Sequence, residues 1–135
     1  METEKVNFAC LIDDDLVHAF IVEKMLQKTP ECTNLLVFPD GGPAIEYFKS
    51  MATNADKLPD VIFLDIKMPV VDGWGFLEEF AKIKDSLAKK VRIYMLSSSK
   101  NPVDIEKAKS YGEVTDYLTK PISLNQYYSI FKQSA

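Results

Sequence analysis

The chain has 135 residues, enough for one domain with a packed core. Hydrophobic residues make up 47% of it, which excludes a disordered chain. A net charge of −4 argues against nucleic acid or an anionic membrane as the main partner. No apolar stretch approaches the roughly 20 residues of a membrane span, and the acidic, polar start does not resemble a secretion signal. The two cysteines, Cys10 and Cys32, lack metal-ligand spacing and read as free thiols of a reducing compartment, so the expected location is cytoplasmic.

Taken in order, Val6 to Ile12 is a nearly continuous apolar run and predicts a first strand. Leu16 to Lys28 follows, with Val17, Ile21, Met25 and Val22, Leu26 at helical spacing, which predicts an amphipathic helix. Leu35 to Phe38 reads as the second strand. Gly41-Gly42-Pro43 breaks the chain, and Pro43 suits the first turn of a helix through Ala44, Ile45, Phe48 and Met51. Val61 to Leu64 is the third strand, and Asp72-Gly73 opens a helix carrying Phe76, Leu77, Phe80 and Ile83. Val91 to Leu96 is the fourth strand. Asn101-Pro102 starts the next helix, and Gly112 is placed to end it. Val114 to Thr119 is the fifth strand. Ser123 and Gln126 form a capping box for a last helix with Leu124, Tyr127, Tyr128 and Phe131.

Strand and helix thus alternate five times. That pattern predicts a flavodoxin-like, doubly wound (βα)5 three-layer sandwich with a parallel sheet in the order 2-1-3-4-5. Ligands of such folds sit beyond the carboxyl ends of the strands. Four of these ends carry polar groups: Asp13-Asp14-Asp15, Asp65, Ser97 and Lys120. Adjacent strands lie about 4.8 Å apart, so carboxylates on the first and third strands repel unless a cation joins them. A few hard oxygens open to water suit Mg²⁺, and there is no nearby Cys or His set to suit zinc. Asp15 reads as a helix cap, and His18, the single histidine, as an exposed or half-buried helix residue rather than a ligand or base. A divalent ion beside a carboxylate lets that carboxylate attack phosphorus, with Lys120 and Ser97 holding the other oxygens. The product would be an aspartyl phosphate.

These pieces carry a resemblance. The acidic pair Asp13-Asp14, "FLDIKMPVVDG" around Asp65, "MLSSS" with Ser97 and "DYLTKPI" with Lys120-Pro121 resemble a response-regulator receiver domain of two-component signalling, over essentially the whole chain. The resemblance implies that Asp65 is the phosphoacceptor. It implies that Asp14 binds Mg²⁺ directly, Asp13 directly or through water, and the backbone carbonyl of Lys67 supplies a third protein ligand. Ser97 and Lys120 would bind the phosphoryl group, and the Lys120-Pro121 bond would be cis. Tyr117 holds the switch-aromatic position, with a packed edge aromatic as the alternative. Lys67 and Ser99 occupy positions that influence phosphate lifetime, and Lys67 over the phosphoryl group predicts slow self-dephosphorylation. Trp74 reads as local packing.

Two rivals exist. Asp13-Asp14-Asp15-Leu16-Val17 matches the first motif of haloacid-dehalogenase-type phosphatases, with Asp13 as nucleophile, but no acidic residue follows Lys120 to complete that site. A pseudo-receiver would lack one of the acidic, hydroxyl or lysine positions, and all are present. The expected organisation is therefore one receiver domain over residues 1–135 without an output domain, a phosphoacceptor signalling module rather than an enzyme. It would be phosphorylated by a histidine kinase or histidine phosphotransfer protein and read by a separate, unidentified protein. Leu16 and Phe20 are candidate docking contacts for the former. Tyr117 with Tyr127 or Tyr128 are candidates for the latter.

Overall fold

The structure, a computed structural model, describes residues 8–98 and 101–132. Val6 and Asn7 of the expected first strand, and Ser99, lie outside the described residues. Among the described residues, β1 (Phe8–Ile12), β2 (Asn34–Phe38), β3 (Val61–Asp65), β4 (Arg92–Ser97) and β5 (Val114–Thr119) form one parallel sheet in the order β2-β1-β3-β4-β5. The helices are α1 (Leu16–Gln27), α2 (Gly41–Ser50), α3 (Gly73–Ile83), α4 (Pro102–Lys109) and α5 (Leu124–Lys132).

Alternate strand residues enter two cores, as the period of two along a strand requires. Cys10, Ile12, Ile62, Leu64, Ile93 and Met95 meet Phe48 of α2 and Phe76, Leu77 and Phe80 of α3. Ala9, Leu11, Val61, Phe63, Tyr94 and Leu96 meet Val22 and Leu26 of α1 and Tyr127, Ile130 and Phe131 of α5. β3 is buried along its full length, which explains why its sequence is continuously apolar up to Asp65. Cys10 is a buried free thiol, and burial pushes its pKa up. Cys32 is also free.

Helices begin where acidic or amide side chains cap them. Asp15 accepts from the Val17 and His18 N–H groups, Asp40 from Gly42, Asp72 from Gly75 and Asn101 from Val103. In the capping box, the Ser123 N–H donates to Gln126 Oε1 and the Gln126 N–H donates to Ser123 Oγ. Three local expectations need correction. Gly41 and Gly42 lie inside α2 rather than ahead of it, because Asp40 supplies the cap. α4 ends at Lys109 with Ser110 as its cap, in ordinary right-handed backbone, so Gly112 does not terminate it. On α1 the buried stripe runs through Val22 and Leu26, whereas Val17 is 69% and Ile21 46% exposed. α1 is apolar around more than half of its circumference, so one of its two possible stripes is left facing outward.

The register positions the polar ends. Ile12 pairs with Leu64, so Asp13 and Asp65 are the next residues of neighbouring strands. Asp65 pairs with Leu96, one residue before Ser97, and Ser97 pairs with Thr119, one residue before Lys120.

Candidate functional site

At the carboxyl edge of the sheet, one oxygen each of Asp13, Asp14 and Asp65 lies within 4.8 Å of the others. Asp13 and Asp65 are buried and Asp14 is exposed. Lys120, from the end of β5, reaches past β4 in the sheet order, with Nζ 3.2 Å from Asp13 Oδ2 and 3.3 Å from Asp65 Oδ1. The Lys120 N–H donates to the Ser97 carbonyl at 2.8 Å, which ties the two strand ends together. Lys120-Pro121 is cis.

His18 joins this group. Its Nδ1 lies 2.5 Å from Asp13 Oδ2, while Asp13 Oδ1 accepts the Asp15 N–H at 2.9 Å. The sequence leaves His18 exposed or half-buried; it is half-buried, and this bond is not evident from the sequence. The Asp15 cap, which accepts from the Val17 and His18 N–H groups, holds the first turn of α1 next to Asp13.

The charges are unevenly settled. Burial pushes the Asp13 carboxyl up, but His18, the Asp15 N–H and Lys120 together hold it below the usual carboxylate range. Burial pushes Asp65 up to about 6, the Asp13 charge adds to this, and Lys120 offsets only part. Three carboxylates facing one ammonium leave negative charge for a further cation to neutralise. The donors are hard oxygens with one side open to water, a set that fits Mg²⁺ and its retained waters.

An open cleft of about 500 Å³ lies beside Asp14, lined also by Lys67, Met68, Pro69, Asp72, Trp74 and Asp104. Lys67 is exposed at its rim and Ser97 is buried at the end of β4. Trp74 stacks on Tyr111 with ring centroids 6.0 Å apart, and Lys107 Nζ lies 4.6 Å from its ring centroid, so it packs α3 on α4 and also walls the cleft. Tyr117 is half-buried against the first core. Tyr127 is not a surface aromatic: it is 1% exposed, with its ring 5.4 Å from Phe63. Tyr128 turns toward α1, where its hydroxyl donates to the Lys28 carbonyl. A residue missed in the sequence is Asp40, whose carboxylate also accepts the Val70 and Val71 N–H groups and so anchors the loop beyond Pro69. No helix among the described residues is long and apolar enough to cross a membrane.

A family model for the response regulator receiver domain matches residues 9–132. Protein PilG of Pseudomonas aeruginosa is 32% identical to the chain over 133 residues, covering 98% of this chain and 90% of that protein. A two component response regulator from Cytophaga hutchinsonii has a crystal structure similar to this one, with a TM-score of 0.84 at 27% identity, over 95% of this chain and 96% of that one. A response regulator receiver protein from Dyadobacter fermentans gives a TM-score of 0.80 at 27% identity, over 93% and 94% of the two chains.

Proposed function

The chain belongs to the response regulator receiver family of two-component signalling, and on that premise we propose that Asp65 accepts a phosphoryl group from a phosphohistidine of a partner protein. The observation that carries this reading is the grouping of Asp13, Asp14 and Asp65 oxygens within 4.8 Å, with Lys120 Nζ 3.3 Å from Asp65 Oδ1. An Asp65 carboxylate oxygen forms the new bond to phosphorus as the bond from phosphorus to the donor nitrogen breaks, and the imidazole departs with the electron pair. Asp13, Asp14, Asp65 and the Lys67 carbonyl would hold Mg²⁺. When bound, the ion neutralises the phosphoryl oxygens. Lys120, already beside Asp65, moves its ammonium onto a phosphoryl oxygen, and the Ser97 hydroxyl donates to another. Such domains are signalling modules rather than classical enzymes, and the carboxylate is regenerated by hydrolysis.

The donor-side surface in this reading is α1. Leu16, Val17, Phe20 and Ile21 are 78%, 69%, 57% and 46% exposed and form one apolar stripe beginning next to Asp14. A histidine kinase or phosphotransfer protein would cover it and bring its histidine to Asp65. The outgoing signal would leave through the face of α4, β5 and α5, where Tyr117 is the switch aromatic. Reaction with a small phosphodonor in Mg²⁺, followed by peptide mass mapping, tests the assignment. Phosphate on Asp65, lost in Asp65→Asn, supports it. Phosphate on Asp13 would instead support a phosphatase, and no labelling with no beryllofluoride binding would support a pseudo-receiver.

A further inference from the structure

Asp13 is gripped from three directions. Oδ1 accepts the Asp15 N–H at 2.9 Å, and Oδ2 takes His18 Nδ1 at 2.5 Å and Lys120 Nζ at 3.2 Å. A carboxylate offers about four lone-pair sites, so about one is left for a cation or for a water bound to it. Because the facing carboxylate is an acceptor, the ring nitrogen toward it carries the proton. The ring itself is fixed from behind: His18 is the third residue of α1, its backbone N–H donates to Asp15 Oδ1 at 3.2 Å, and its side chain is 12% exposed. His18 contributes no atom to the mutually close ligand set of Asp13, Asp14 and Asp65. Its influence on a cation therefore passes through Asp13.

We propose that His18 is a positioning residue for the cation site, holding the Asp13 carboxylate in the orientation that presents an oxygen toward Asp14 and Asp65. Without it, Oδ2 keeps only the Lys120 ammonium, which Asp65 shares, and the carboxylate loses the bond that fixes its rotation. The inference rests on the reading of this cluster as a Mg²⁺ site. Hydrogen-bond partners of ligating carboxylates commonly account for 10–100-fold in metal affinity. With the Asp15 N–H and Lys120 still in place, the low end, about tenfold, is expected here.

Calorimetric Mg²⁺ titration of the unaltered protein, His18→Leu and His18→Asn tests this, with Trp74 fluorescence as a second readout because Trp74 walls the cleft beside Asp14. Leu fills the space without a donor, whereas Asn places an amide nitrogen as many bonds from its Cα as Nδ1. Thermal unfolding in chelator is measured in parallel. The expected result is about tenfold weaker Mg²⁺ binding by His18→Leu, recovery to within about threefold in His18→Asn, and unchanged unfolding in chelator. Equal affinity in all three proteins, equal weakening in both variants, or weakening that tracks a loss of stability in chelator overturns the positioning role while the Mg²⁺ reading stands. An unaltered protein that binds no Mg²⁺ overturns both.

Discussion

Gly73 stands against the carbonyl of Asp65: a Cβ on Gly73 would lie 2.6 Å from that oxygen and 2.9 Å from the Ile66 Cα. The Gly73 N–H donates to the Ile66 carbonyl at 2.8 Å, so the start of α3 is laced to the end of β3. Both neighbours are backbone, and neither can rotate away. Gly73→Ala therefore has to displace the strand end that carries Asp65. The expected cost is about 2–3 kcal/mol in urea unfolding, with weaker Mg²⁺ binding. A change under about 0.5 kcal/mol would mean that the β3 end yields freely, against this packing.

Asp65 faces the Asp13 charge from a buried position, and its carboxyl is pushed up to about 6. At pH 7.5 without divalent ions, the folded protein thus holds an ionised group at a cost. Asp65→Asn removes the charge and is expected to stabilise the metal-free protein by about 2 kcal/mol. Mg²⁺ should reverse the order, because it stabilises the unaltered protein by mass action and the variant less. Urea unfolding of both proteins in chelator and in Mg²⁺ measures this. A variant less stable in chelator would show that Lys120 more than compensates the repulsion.

Asp40 accepts N–H groups from Gly42, Val70 and Val71, at 3.1, 3.0 and 2.8 Å. Burial pushes its carboxyl up, but these donors hold it below 3.8. A depressed acid contributes stability above its unfolded pKa and loses it as pH falls through the folded value. Asp40→Ala should cost about 2 kcal/mol at pH 7 through the lost cap and stranded donors. The difference between the two proteins should narrow below about pH 3.8. A pH-independent difference would assign the effect to packing alone.

Strand order and the meeting of Asp13, Asp14, Asp65 and Lys120 were legible because buried parallel strands are continuously apolar and their polar residues stand only at the ends. What the pattern could not decide were choices between near-equivalent faces. α1 has apolar residues at 16, 17, 20, 21, 22, 25 and 26, and periodicity alone admits two stripes. Tyr127 and Tyr128 are adjacent and chemically alike, so the sequence does not say which of them enters the core; Tyr127 does. His18 and Asp40 act through bonds whose direction depends on cap and loop geometry, and neither leaves a spacing signature.

Lys67 is exposed at the rim of the cleft, two residues beyond Asp65. An ammonium over the phosphoryl group would obstruct in-line water and pair with its oxygens. Lys67→Ala should raise the hydrolysis rate of the phosphoprotein about three- to tenfold, on the order of 1 kcal/mol in barrier. Decay of the phosphorylated protein, followed after removal of the donor, measures it. An unchanged half-life would remove Lys67 from the account of lifetime.

The outward turn of α1 makes its exposed stripe larger than the sequence suggested: Val17 and Ile21 join Leu16 and Phe20. Phe20 is central in it, 57% exposed with Lys24 Nζ 5.2 Å from its ring centroid. Replacing it removes little from the core, so Phe20→Asp should unfold within about 0.5 kcal/mol of the unaltered protein. Against a partner that buries the stripe, the lost aromatic contact and the stranded charge should together cost about 2 kcal/mol or more. Phosphotransfer from a cognate histidine kinase should therefore slow by more than about tenfold, while labelling of Asp65 by a small phosphodonor, which needs no docking, keeps its rate. Equal slowing of both reactions would place the damage in the fold or the cation site. Unchanged transfer would show that the donor approaches Asp65 from a face other than α1.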